Sequence, residues 1–236
     1  MSAALPQHLY GRRKGKKLRA GQAALLETLL PRLRVELPPS GELLDPRLLF
    51  APAPAAVWLE IGFGGGEHLA ALARAHPSLG FIGCEPYQNG VAKLLAEIER
   101  EKLANLRIFP DDARLLLGHL QAGSLACVIA LFPDPWPKLR HHRRRLIQRP
   151  SLDLLARAMV GGAELRLATD DGDYADAMRS ELAAHGGFCG PEGGAAGPLA
   201  RPPDWPPTRY EAKARKAGLQ PQYLRYRRRR EGPQNA

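Results

Sequence analysis

The stretch "AAVWLEIGFGGGEHL", Ala55–Leu69, runs from an apolar segment through a glutamate into four glycines and out into a helical pattern. That is how a buried strand hands over to a helix through a turn where backbone can approach a ligand closely. Downstream the alternation continues. Apolar runs at 55–61, 79–84, 105–109, 124–132 and 162–169 read as buried strands. Between them Val91, Leu94, Leu95 and Ile98, or Tyr174, Ala177, Met178 and Leu182, recur at helical spacing. Strand, helix, strand in repetition predicts an α/β fold: a doubly wound, mostly parallel sheet with right-handed crossovers. "PQYLRYRRRR", Pro221–Arg230, is expected to add a final antiparallel strand. Ligands of such sheets bind beyond the carboxyl ends of the strands, and every motif below falls at one of those ends.

The chain has 236 residues, enough to bury a substantial core. Its 34 Lys and Arg outnumber 24 Asp and Glu, a net charge of +10 that favours an anionic partner. No apolar run approaches the length of a spanning helix and no secretory signal opens the chain, so a nucleic acid is favoured over a membrane. Cys84, Cys127 and Cys189 form neither a metal-ligand spacing nor a disulfide framework. They read as reduced core thiols of a cytoplasmic protein. Residues 1–20 form a basic, flexible arm, "YGRRKGKKLR", suited to ordering on RNA, and 21–236 a single domain. "GGFCGPEGGAAGPLARPPDWPP", 186–207, reads as a long loop before a short helix from Thr208.

A glycine turn alone suggests a dinucleotide. Glu60 argues otherwise, because a carboxylate two residues before the turn that holds Gly62 and Gly64 would repel a pyrophosphate and attract a cation. S-adenosylmethionine (SAM), with a sulfonium, an ammonium and no phosphate, fits better. Glu85 closes the next strand, where a carboxylate grips ribose hydroxyls. Asp112 follows the third strand and suits either the adenine amino group or the N-cap of "ARLLL".

The fourth strand runs into "LFPDPWPK", Leu131–Lys138, in which two prolines stiffen the chain on either side of Asp134. "KLRHHRRR", Lys138–Arg145, follows at once. A charge run is usually a solvated face, but this one lies beside the expected reaction centre. No acid or Cys shares the spacing of His141 and His142, so no metal site is expected.

Taken in order, "EIGFGGGEHL", "GCEPY", "DDA", "LFPDPWPKLRHHRRR", "ATD" and "TRYE" resemble the bacterial tRNA (guanine-N7)-methyltransferase family. The resemblance covers most of the chain. It implies a Rossmann-like class I methyltransferase that uses SAM to modify a guanine of the tRNA variable loop. It also implies that Glu60, Glu85, Asp112 and Asp134 contact SAM, with Gly62 and Gly64 in the turn, and that Asp134 is the catalytic acid. Lys138, Asp170 and Thr208, Arg209, Tyr210 and Glu211 would contact substrate. Arg140, Arg143, Arg144 and Arg145 would touch RNA.

The chemistry narrows the roles further. Guanine N7 carries a free lone pair at neutral pH, so no general base is needed to uncover it. An arginine reading N7 and O6 would block the attack, which leaves acids, Asp170 and Glu211, for the opposite edge. Thr208 and Glu211 also fit a capping box by spacing. Rival readings are an amino-group methyltransferase, a non-catalytic SAM-regulated RNA binder and an NAD oxidoreductase. The basic run, the complete set of strand-end acids and Glu60, respectively, argue against them.

Overall fold

The computed structural model describes residues 13–190 and 200–230. The chain divides into two compact units, Met1–Gln121 and Ala122–Ala236. Its seven-stranded sheet has the order β3-β2-β1-β4-β5-β7-β6.

In the first unit, β1 (Val57–Ile61), β2 (Gly80–Cys84) and β3 (Leu106–Phe109) are parallel, with Ile61 opposite Cys84 and Cys84 opposite Phe109. Gly62, Glu85 and the segment before Asp112 therefore all follow the carboxyl ends of these strands. Helices α3 (Glu67–Ala75), α4 (Gln88–Glu101) and α5 (Ala113–His119) connect or follow these strands. Helix α4 buries Val91, Leu94, Leu95 and Ile98, the stripe expected from spacing. Two helices precede the sheet, α1 (Ala20–Thr28), which packs on α4, and α2 (Leu30–Leu33). Val35 donates its N–H to Ile108 O, so the following segment covers the outer edge of β3.

In the second unit, β4 (Leu125–Leu131) lies parallel to β5 (Met159–Thr169), and β7 (Gln222–Arg228) runs antiparallel along β5 from Arg227 opposite Glu164 to Gln222 opposite Thr169. The expected closing antiparallel strand is thus present. A two-residue strand, β6 (Phe188–Cys189), pairs with the far end of β7. Helices α6 (Arg149–Ala158), α7 (Gly172–His185) and α8 (Arg209–Lys216) complete the unit. The architecture is a doubly wound, mostly parallel α/β sheet.

One expectation needs correcting. Cys84 and Cys127 are buried, and burial pushes both thiols up, Cys127 to about 12. Cys189 is exposed, because β6 is too short to bury both of its faces. Among the described residues no helix is long and apolar enough to cross a membrane. Residues 1–12 of the basic arm and 191–199 of the Gly/Pro loop lie outside the described residues.

Candidate active site

In the first unit the turn after β1 needs its glycines. Gly62, Gly64 and Gly66 have φ of 73°, 58° and 83°, a region closed to most side chains. Helix α4 packs against this turn so closely that a Cβ on Gly90 would stand 2.1 Å from Gly64 O. Glu85 fastens the two together: it is 8 % exposed, Oε2 accepts the Gly64 N–H at 2.7 Å and Oε1 accepts the Tyr87 N–H at 2.9 Å.

Glu60 is buried against His68, whose Nδ1 lies 2.8 Å from its Oε2. His68 Nε2 has no partner among the described residues. The sequence reading overlooked His68. Its only signal is its place in the first turn of the helix that the glycines open.

Asp112 caps α5, accepting the Arg114 N–H at 2.9 Å, and also takes the Arg114 guanidinium on both oxygens. Of its two expected roles, the cap is the one visible in the fold. Residues 13–16 of the arm lie along the start of α4. Gln88 N–H donates to Arg13 O, Gly15 N–H to Asn89 Oδ1 and Asn89 Nδ2 to Lys16 O, while Arg13 pairs with Asp111 at 2.8 Å.

These residues fit SAM. Buried carboxylates stand at or just after the carboxyl ends of three successive strands, Glu60 within the last two residues of β1, Glu85 after β2 and Asp112 after β3, beside a turn whose Gly62 is exposed. Acids accept from hydroxyls and an amine and attract a cation, whereas a pyrophosphate would meet like charge.

The second unit holds the substrate motifs. Asp134 is exposed, and the residues two before and two after it are strained. Phe132 and Trp136, both non-glycine, have φ of 54° and 47°. Such backbone costs about 1–3 kcal/mol per residue and persists only where its surroundings enforce it. Phe132 N–H donates to Ala168 O at 2.7 Å, and its ring stacks on Tyr210 at 6.2 Å and meets the edge of Tyr223 at 6.5 Å. Trp136 is held from the other side by the basic run.

That run forms a 3₁₀ turn, Leu139–Arg144, and its three residues per turn sort the cations into rows. Arg140 and Arg143 are exposed. His141 and Arg144 both meet Trp136, the imidazole edge-on at 5.9 Å and the guanidinium 4.9 Å from the ring centroid. His142 and Arg145 both face Asp173: His142 Nε2 stands 4.0 Å away and Arg145 Nη2 bonds to it. Arg145 is 4 % exposed, donates Nε–H to Pro135 O at 2.8 Å and lies over the Tyr174 ring. Its guanidinium is engaged within the fold, whereas Arg140 and Arg143 show no ion pair among the described residues. The Arg145 hydrogen bond lowers the Asp173 pKa, and burial pushes the Tyr174 hydroxyl up to about 12. Partial desolvation, then the charges of Arg144, Arg140, Lys138 and Arg143, lower the His141 pKa.

The additional acids after β5 are thereby placed. Asp171 caps α7 through the Tyr174 N–H, and Asp173 anchors Arg145. Asp170 is half-buried at the end of β5, and Lys138 is exposed. Thr208 caps α8, accepting the Glu211 N–H at 3.0 Å. Glu211 does not complete the capping box: it is buried between Arg201, at 3.0 Å, and Arg215, at 2.9 Å. Arg209 lies over Tyr210, so the block from Thr208 to Glu211 reaches Phe132 through the Tyr210 ring. Trp205, buried between Arg166 and Arg225, meets Tyr223 from the described end of the Gly/Pro loop.

Fold and glycine turn together define a Rossmann-like methyltransferase. The crystal structure of the antibiotic-resistance methyltransferase Kmr shares the fold, with a TM-score of 0.53 and 18 % identity over 77 % of this chain and 90 % of that one. Residues 54–223 match a family model described as "Putative methyltransferase". The tRNA (guanine-N(7)-)-methyltransferase of Paramagnetospirillum magneticum is 49 % identical over 97 % of this chain and 95 % of its own length. That of Rhodospirillum rubrum is 50 % identical over 93 % and 87 %. The chain belongs to the tRNA (guanine-N(7)-)-methyltransferase family.

Proposed function

We propose that the protein methylates N7 of a guanine in the variable loop of tRNA, in the cytoplasm, using SAM. The observation that carries the reading is the frame of Asp134: an exposed carboxylate between two strained residues, in a chain of this family. Glu60, Gly62, Gly64, Glu85, Asp112 and Asp134 would hold SAM, which supplies an electrophilic methyl group on a sulfonium.

The protein's own task is placement. N7 attacks in line with its free lone pair, so alignment dominates and no side chain removes a proton. Methylation leaves the purine cationic, and the fixed Asp134 carboxylate stabilises the charge as it forms. Asp170 is the acceptor for the guanine N1–H and amino edge. Glu211, its charge shared between two arginines, braces α8 so that Tyr210 holds Phe132. Lys138, Arg140 and Arg143 face tRNA phosphates, Arg144 presents Trp136, and Thr208, Arg209 and Tyr210 set the rim.

The test is single-turnover transfer of labelled methyl from SAM to unmodified tRNA, followed by chemical cleavage at N7-methylguanine. Asp134→Asn should reduce the rate by about 10²–10³, the loss expected for one preorganised electrostatic partner. Asp134→Ala should reduce it further. Neither rate should depend on a pKa near neutrality. Label at another atom, or a wild-type rate governed by such a pKa, would refute the reading.

A further inference from the structure

Strand β7 carries the second unit's charge to the opposite end of the sheet. Gln222 stands beside Thr169, next to Asp170, while Arg228 stands beside Phe188, six residues or about 20 Å along the strand. At that far end lies a cavity of about 370 Å³ whose walls include Gly123, Arg157, Gly161, Arg228 and Arg229.

Two features make this cavity a place for an anion. The first is the state of helix α6, which ends there and whose terminal carbonyls would repel negative charge. Those carbonyls are occupied: Ala156 O by Arg228 Nε at 2.7 Å, Arg157 O by Gly123 N–H at 2.9 Å and Ala158 O by Ser124 N–H at 2.8 Å. The second is how the strand's arginines are matched. Arg225 pairs with Asp204 and Glu164, and Arg227 with Glu164. Arg229 is instead positioned by main chain, donating its N–H to Gly187 O and Nε–H to Phe188 O. Arg230 packs against Gly161, its Cα 3.2 Å from where a Cβ would stand. Neither has a carboxylate within ion-pair distance among the described residues. The Phe188 carbonyl fixes the Arg229 guanidinium without cancelling its charge.

We infer that this cavity binds a backbone phosphate of the tRNA, a second point of contact remote from Asp170. The inference rests on the tRNA reading above. The lining has glycine, alanine, valine, methionine and arginine but no aromatic ring, so it offers no platform for the base of a free nucleotide. Phosphate is what it can recognise, and a polyanion supplies phosphate at a fixed distance from the methylated base.

The test uses the full chain with Arg229→Ala/Arg230→Ala and Arg229→Lys/Arg230→Lys, leaving Arg228 to cap α6. Binding of unmodified tRNA is measured against salt concentration, with methylation kinetics alongside. The alanine pair should lower the salt slope by about one for each phosphate deprived of its arginine and raise KM for tRNA, with kcat and SAM affinity unchanged. The lysine pair should restore the slope. A wild-type slope in the alanine pair, or equal defects in both pairs, would overturn the inference. So would inorganic phosphate stabilising only the wild type while the tRNA slopes agree, which marks a free-anion site. Wild-type protein that binds tRNA but leaves N7 unmethylated would sink the proposed function and leave this test standing.

Discussion

Replacing Arg145 with methionine keeps apolar bulk over Tyr174 and removes the donors that hold Pro135 and Asp173. The Pro135 carbonyl then loses its partner beside a side chain that was 4 % exposed, at a cost of about 1–3 kcal/mol for an orphaned acceptor. That cost acts on a loop already carrying two left-handed residues, Phe132 and Trp136, whose strain is of similar size. Losing the restraint lets the loop relax. A shift of about 1–3 kcal/mol in its equilibrium reduces the competent population, and with it the rate, by roughly 5- to 150-fold. Single-turnover methyl transfer at saturating tRNA and SAM reads this directly. Asp173→Asn should lower the rate in the same direction, and the double variant should cost less than the sum, because both act on one contact. A methionine variant with full rate and weakened tRNA binding would refute the argument and return Arg145 to the phosphates.

Glu85→Gln puts an amide where two N–H groups need acceptors, Gly64 and Tyr87. SAM affinity should fall about ten- to hundredfold in calorimetry, the effect of losing a charged hydrogen-bond partner, and an unchanged affinity would remove Glu85 from the site. The His141 imidazole should titrate below the usual value of about 6.5 by NMR, and Arg144→Gln should raise it. Because folding lowers this pKa, the unfolded chain binds more protons as pH falls below its own pKa. Stability should therefore decline from there down to the folded value. A midpoint unmoved by Arg144→Gln would show that the neighbouring charge is screened.

The strands were legible because buried parallel strands must be apolar along both faces, as in "SLACVIALF" ahead of the Asp134 loop. The glycine turn and the acids at the strand ends were legible because their chemistry dictates their spacing. Helix α1 was not: it buries only Leu25 and has no apolar stripe. Strand β6 was not, since two residues become a strand only through β7. The partner of Glu60 was hidden because His68 is close only once α3 turns back over β1. Glu211 shows the limit of spacing as a guide. Thr208 to Glu211 satisfies the capping pattern, yet burial beside Arg201 and Arg215 offers the carboxylate stronger, charged partners than a backbone N–H.

The basic run shows that limit most sharply, because sequence gives its arginines equal standing and the 3₁₀ turn does not. Arg143 and Arg145 are two residues apart and carry the same charge, so a uniform solvated face would respond alike to the loss of either. The turn places Arg143 outward and Arg145 inward. Arg140→Ala and Arg143→Ala should therefore each flatten the salt dependence of tRNA binding by about one unit and raise KM, with kcat nearly unchanged. Arg145→Met, with the same change in charge, should leave the slope alone and lower kcat. The comparison holds net charge constant, so a long-range effect of the +10 chain cancels and only the row matters. Equal slopes for all three variants would mean that the turn does not hold its rows in solution. The frame around Asp134 would then have to rest on Phe132, Tyr210 and Ala168 alone.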